Sequence, residues 1–239
     1  QDAEAHNNLG GTLLELKRLE EAEISFKQAI LIKPDYAVAN YNLGNTLQAL
    51  GRSEEAEASF KQAISLKPDY FIAYNNLGNT LKGLRRLEEA EASYRQAISI
   101  KHDLAITHNN LGNTLQELGR FEEAEASFKE AISINPDYAE AHRHLTVIKK
   151  FNLKDKQNLK MQELYHDKNI SEEQLCHINF GLAKACEDLK NFEEAFKHYK
   201  QGNQLRKSFS NYNISQDIEL FNQLKNSVPL IEQNSLKLE

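Results

Sequence analysis

The apolar positions of this chain recur with a helical spacing, and that spacing itself recurs. In residues 37–70, Leu43 and Leu47 stand four apart; after a polar break, Ala56, Phe60, Ala63 and Ile64 form a second stripe. Each set puts its apolar residues on one face of a helix, so the block predicts two amphipathic helices. The first is expected to end near Gly51, since glycine takes the left-handed cap conformation without penalty. Ser53 is expected to cap the second, with Glu54 and Glu55 suiting its positive N-terminus. Lys67-Pro68-Asp69 ends it, because the residue before proline disfavours the helical conformation.

The same block returns every 34 residues, over 3–36, 37–70, 71–104 and 105–138, with 25 of 34 positions identical between the second and the fourth. Pro34, Pro68 and Pro136 share one phase, and His102 takes that slot in the third block. Lys17 and Arg85 stand where Gly51 and Gly119 cap the other blocks, at a cost of about 1 kcal/mol each.

From residue 139 the pattern weakens. Ala141, His142 and Leu145 begin a fifth block over 139–175, but Thr146 holds its glycine slot. Residues 154–166 still read as a helix, with Leu159, Met161 and Leu164 in reach of one face. The phase returns three residues late at Cys176, and a divergent sixth block runs over 176–209, with Leu182-Ala183 in the Leu-Gly slot, Ala195 in the small slot and Tyr199 in the aromatic slot. Ser215 is expected to cap a last helix over 215–227, with Ile218, Phe221 and Leu224 buried, closing the end of a stack. Residues 228–239 read as a linker or a tag remnant.

Composition narrows the function. The chain has 239 residues, 40% hydrophobic and 27% charged, which is enough for a real core. No apolar run approaches the roughly 18 residues of a membrane span, and no signal-peptide pattern opens the chain. The net charge is −6, and a basic face for nucleic acid is not expected. Residues 1–138 carry 14 basic and 21 acidic residues, while 139–239 carry 15 and 14. Cys176 and Cys186 would lie about 15 Å apart on one helix, too far for a disulfide, which fits a reducing, cytoplasmic setting. The absence of an initiator Met suggests a piece of a longer protein.

The repeated residues resemble the tetratricopeptide repeat (TPR) family. The Leu-Gly pair is Leu9-Gly10, Leu43-Gly44, Leu77-Gly78 and Leu111-Gly112; the small residue is Ala22, Ala56, Ala90 and Ala124; the aromatic four later is Phe26, Phe60, Tyr94 and Phe128. The resemblance implies an all-α, right-handed superhelical solenoid of antiparallel helix pairs, with the first helices lining a concave groove. The first four repeats also resemble the TPR arm of the O-linked N-acetylglucosamine transferases. The stretch from Asn179 through Phe192-Glu193-Glu194-Ala195, Tyr199, Gly202-Asn203 and Arg206-Lys207 resembles the segment preceding the catalytic domain in bacterial TPR-sulfotransferase fusions. No residue of either family's catalytic site carries over, and none of the ten glycines sits in a donor-binding loop. The chain is therefore expected to be no enzyme, to need no cofactor and no metal, and to bind an extended protein or peptide segment as a recognition arm. The alternatives are a free-standing adaptor that assembles protein complexes, or the TPR arm of a glycosyltransferase.

Candidate binding residues are a row of asparagines on the first helices: Asn8, Asn42, Asn76 and Asn110, with Asn45, Asn79 and Asn113 three residues later. A side-chain amide both donates and accepts, so a ladder of them can hold a peptide backbone without reading its side chains. Equally, the asparagines can bridge neighbouring helices. The slots that grip chaperone tails in another TPR subclass hold Asn7, Tyr41, Asn75, Asn109 and Gly11, Asn45, Asn79, Asn113, with no cation until Arg143, so no such clamp is expected.

Other chemistry is weaker. His6, His108 and His142 share a slot that reads as a packing position, and His142-x-His144 points to different sides of a helix. Cys186 falls in a leucine slot. The Glu-Glu pairs at 20–21, 54–55, 88–89 and 122–123 read as helix-dipole partners. Residues 143–168 hold seven basic and three acidic residues, suited to an anionic ligand, a neighbouring domain or a solvated face. Finally, Leu9, Leu13 and Leu16 are expected to form an uncovered apolar edge, open to preceding repeats or to end-to-end self-association.

Overall fold

The computed structural model describes residues 2–152 and 155–209, and among these it is all helix, with no strand. Four helix pairs come first: Ala3–Glu15 (α1) with Leu19–Ile32 (α2), Ala37–Ala49 (α3) with Ser53–Leu66 (α4), Phe71–Gly83 (α5) with Leu87–Ile100 (α6), and Ala105–Glu117 (α7) with Phe121–Ile134 (α8). Ala139–Ile148 (α9), Lys156–His166 (α10), Glu172–Asp188 (α11) and Phe192–Phe209 (α12) follow. The array is an all-α repeat solenoid.

Within each regular pair a glycine lets an aromatic ring close in. A Cβ on Gly44 would sit 2.7 Å from the Phe60 ring, and one on Gly78 would sit 2.5 Å from Tyr94. Phe26, Phe60, Tyr94 and Phe128 are fully buried against those glycines, and with the leucines at 13, 47, 81 and 115 they make one continuous core. Gly51 and Gly119 take φ of 76° at the turn, and Lys17 and Arg85 are forced to 58° and 62° in the same slot, as expected.

Ser53 does not cap α4. It is the first helical residue; Arg52 flanks the helix and no side chain caps the backbone there. The Arg52 guanidinium instead reaches forward to both carboxylate oxygens of Glu55, at 2.6 and 2.5 Å. A long side chain at this slot gains more from a bidentate carboxylate than a serine one position later can gain from the backbone.

Consecutive first helices touch one another, while consecutive second helices approach less closely. The stack therefore curves with the first helices on its inner side. At its start Leu9 and Leu16 are exposed, but Leu13 is buried in the core, so only two of the three expected edge leucines are open.

The last four helices pack differently. α10 lies mainly on α11 and barely on α9, and α11 packs directly against α9. Gly181 lets α10 close on α11, since a Cβ there would lie 2.8 Å from Met161 Sδ. Leu182 and Ala183 are buried, yet the close approach falls on the glycine before them, not on Leu182-Ala183. Met161 and Leu164 are buried three apart, but Leu159, two residues before Met161, turns to the other side and is exposed. α11 begins before Cys176, because Ser171 and Gln174 form a reciprocal capping box. Both cysteines are free. No described helix is long and apolar enough to cross a membrane. The expected helix over 215–227 and the tail 228–239 lie outside the described residues.

Candidate functional site: the amide ladder

The asparagine row lies on the inner helices, and its members differ in what they bond. Asn42 Nδ2 donates to Asn7 Oδ1 at 3.0 Å, across from α3 to α1. Asn76 Nδ2 donates to Asn45 Oδ1 at 2.8 Å and to the Tyr41 hydroxyl at 3.2 Å, while its own Oδ1 accepts from Asn75. Asn110 Nδ2 donates to Asn79 Oδ1 at 3.1 Å, and Asn79 also accepts from the Tyr94 hydroxyl at 2.7 Å. Apart from the Asn75–Asn76 and Tyr94–Asn79 bonds, these join residues 31 or 35 apart, so they tie each inner helix to the one before it. The bridging role is therefore real.

The bridges leave part of four of these amides unspent. Asn42 and Asn110 keep an acceptor oxygen, and Asn45 and Asn79 keep a donor NH2, with no further side-chain partner among the described residues. All four are half-buried. Asn8 is exposed, and neither it nor Asn113 makes a side-chain hydrogen bond among the described residues. Asn76 is fully used. The bridges hold the amides in fixed orientations and leave both acceptors and donors free on the inner helices.

The ladder ends at a histidine. His144 occupies the fifth position of the Asn8 slot, and its Nδ1 lies 2.9 Å from Asn109 Oδ1. Arg143 Nη2 lies 3.3 Å from its Nε2, so Nδ1 carries the proton and Nε2 accepts. Burial, and then the Arg143 charge, pull its pKa down to about 3. Beside it a cleft of about 500 Å³ is lined by Lys82, Asn113, Glu117, Glu140 and Arg143. His142 turns elsewhere, with its Nε2 on the Pro136 carbonyl at 2.8 Å, and His108 does the same with His102. Among the described residues no group of three or more His, Cys, Asp or Glu side chains is placed to hold a metal.

The glutamates do more than oppose a helix dipole. Arg18, Arg52, Arg86 and Arg120 each fork onto the second glutamate of their own block, Glu21, Glu55, Glu89 and Glu123. Arg52, Arg86 and Arg120 also reach back to Glu23, Glu57 and Glu91 of the previous block, at 2.5–2.7 Å. The arginine beside each of Glu21, Glu55, Glu89 and Glu123 holds its carboxyl below the usual range. Burial pushes Glu57 upward, but Lys61 and Arg86 outweigh it. This ladder escaped the sequence reading, although an arginine 29 residues after a glutamate, block after block, was its signal.

Two family models described as tetratricopeptide repeat match the chain, one over residues 1–69, 35–101 and 69–137, the other over 177–209. No curated protein matches it by sequence. Among solved structures it resembles PilF of Pseudomonas aeruginosa (18% identity, 91% of this chain and 96% of that one, TM-score 0.66). It also resembles MamA of Desulfovibrio magneticus RS-1 (17%, 86% and 96%, TM-score 0.58). A third is YrrB, described as a TPR protein with an unusual peptide-binding site (19%, 83% and 92%, TM-score 0.57). At these identities the likeness is one of fold.

Proposed function

Because the chain belongs to the tetratricopeptide repeat family, whose models match most of its length, we propose that it is a protein-binding scaffold that holds an extended peptide along its inner helices. The observation that carries this reading is the set of unspent amide atoms on the inner helices, acceptors on Asn42 and Asn110 and donors on Asn45 and Asn79. A peptide backbone offers N–H donors and C=O acceptors that can pair with both kinds. Asn8 and Asn113 extend the row at either end, and Asn76 supports it from within. A structural relative described as having a peptide-binding site accords with the class of function. The scaffold works without cofactor, nucleic acid or membrane, in the cytoplasm.

The finer reading makes the chain the recognition arm of a sulfotransferase-type protein. It rests on the sequence from Asn179 to Lys207. If the native chain continues beyond residue 239 into a domain with a donor-binding loop, the arm reading stands; if it stops, the chain is an adaptor.

The groove is tested by replacing Asn42, Asn110 and Asn113 with Ala and measuring binding to an array of extended peptides. The expected result is a loss of about tenfold or more in affinity with helix content retained. If the protein loses stability while binding per folded molecule is unchanged, the ladder is only a bridge.

A further inference from the structure

A second cavity, of about 200 Å³, opens between α9, α11 and α12 and has none of the ladder asparagines in its lining. Arg143 enters it from α9, Cys176, His177 and Phe180 from α11, and Arg206 from α12, with Glu173 beside them. We propose that this cavity is a binding site for a small oxyanion, a phosphate or carboxylate group, held between Arg143 and Arg206 with His177 as a further donor.

Three observations carry it. First, neither Arg143 nor Arg206 has a carboxylate within ion-pair distance among the described residues, whereas each arginine flanking a second helix of the array forks onto a glutamate. Second, Arg143 Nε and His177 Nδ1 are sealed from solvent with no hydrogen-bond partner. A buried polar atom left unsatisfied costs about 1–3 kcal/mol, and both atoms belong to side chains that line the cavity. Third, the volume is below the roughly 300–1,000 Å³ that holds a drug-sized ligand. It suits one headgroup, and guanidinium groups are built to fork onto its oxygens. Two arginines against Glu173 leave an excess positive charge. Cys176 is not part of the chemistry, since its thiol is engaged by the Gly202 carbonyl at 3.4 Å.

The imidazole reports occupancy. Burial and then Arg143 lower the His177 pKa, with Arg206 adding to them and Glu140 and Glu173 opposing. A bound anion would raise it. The test follows the His177 ring signals by NMR in the full chain while inorganic phosphate, or separately acetate, is added at constant ionic strength. The expected result is a saturable shift with at least one of the two. Arg206→Gln, at an exposed position, should weaken it about tenfold or more, while Lys200→Gln on the same helix leaves it unchanged. A response to phosphate alone identifies a phosphate-type ligand, and one to acetate alone a carboxylate. No saturable response, or equal responses in wild type and both variants, overturns the proposal. The groove can fail its own test without affecting this one, because the variants differ.

Discussion

Between the first and second helix pairs the joint is Arg52, which forks onto Glu55 in its own block and reaches back to Glu23 in the block before. Between α10 and α11 the joint is Gly181, with Met161 lying in its missing side chain. The first kind of joint is polar, partly exposed and repeated. The second is apolar, buried and made once. A repeated joint lets the array be extended by copying, because every block meets the same neighbour. A single joint ends that freedom: α9 offers Thr146 where the others offer glycine, α10 is displaced, and α11 takes its place against α9.

The sharpest way to break the comparison is to empty the array's core. Phe60→Ala removes a fully buried ring from against Gly44 and should cost about 3–5 kcal/mol, read by urea unfolding. Hydrogen exchange should rise in α3 and α4 and their neighbours. An equal rise in α9–α12 would mean that the two regions unfold as one unit.

Mild acid should separate the regions the other way. His142, His144, His177 and His198 all have pKa values lowered by burial. Above about pH 6.5 their stabilisation is complete, because folded and unfolded states are both neutral. As pH falls below that value, the unfolded chain takes up protons that the folded chain refuses. Each histidine then costs about 1.4 kcal/mol per pH unit until its own folded pKa is reached. The array's shifted glutamates behave oppositely in range: their contribution holds above about pH 4.5 and is lost only below it. Between pH 6.5 and 4.5, proteolysis should therefore open residues 139–209 before residues 2–138. Simultaneous cleavage would show that the buried histidines do not set the difference.

The smallest effect sharpens the array itself. Tyr94→Phe makes the third block like the others and removes only the hydroxyl bonded to Asn79. It should cost about 1 kcal/mol, since Asn79 keeps its bond from Asn110. A thermal melt that falls far more would mean that the inner ladder depends on that hydroxyl.

The helix pairs of the array were legible in the sequence because their causes are local. Leu43 and Leu47 mark a face, Gly51 marks a turn and Pro68 marks a stop, each within a few residues. The candidate site was legible only as a row: the recurrence of asparagine showed where it lies, but not that Asn76 is spent and Asn42 is not. Ser53 misled because capping statistics hold no information about an arginine that prefers a carboxylate. Leu159 misled because an apolar residue two positions before Met161 reads as part of the stripe, yet that spacing turns it to the other side of the helix.

The amino-acid sequence alone determined the period, the inner helices that carry the amides and the absence of a pairable disulfide, since all three follow from spacing along one chain. Tertiary structure alone decided which amide atoms are spent, which glutamate each arginine reaches back to, and where α11 meets α9. It also decided that Arg143 and Arg206 share a cavity although 63 residues separate them. These depend on distances between helices, which are set by the packing of glycine against aromatic rings and of Met161 against Gly181.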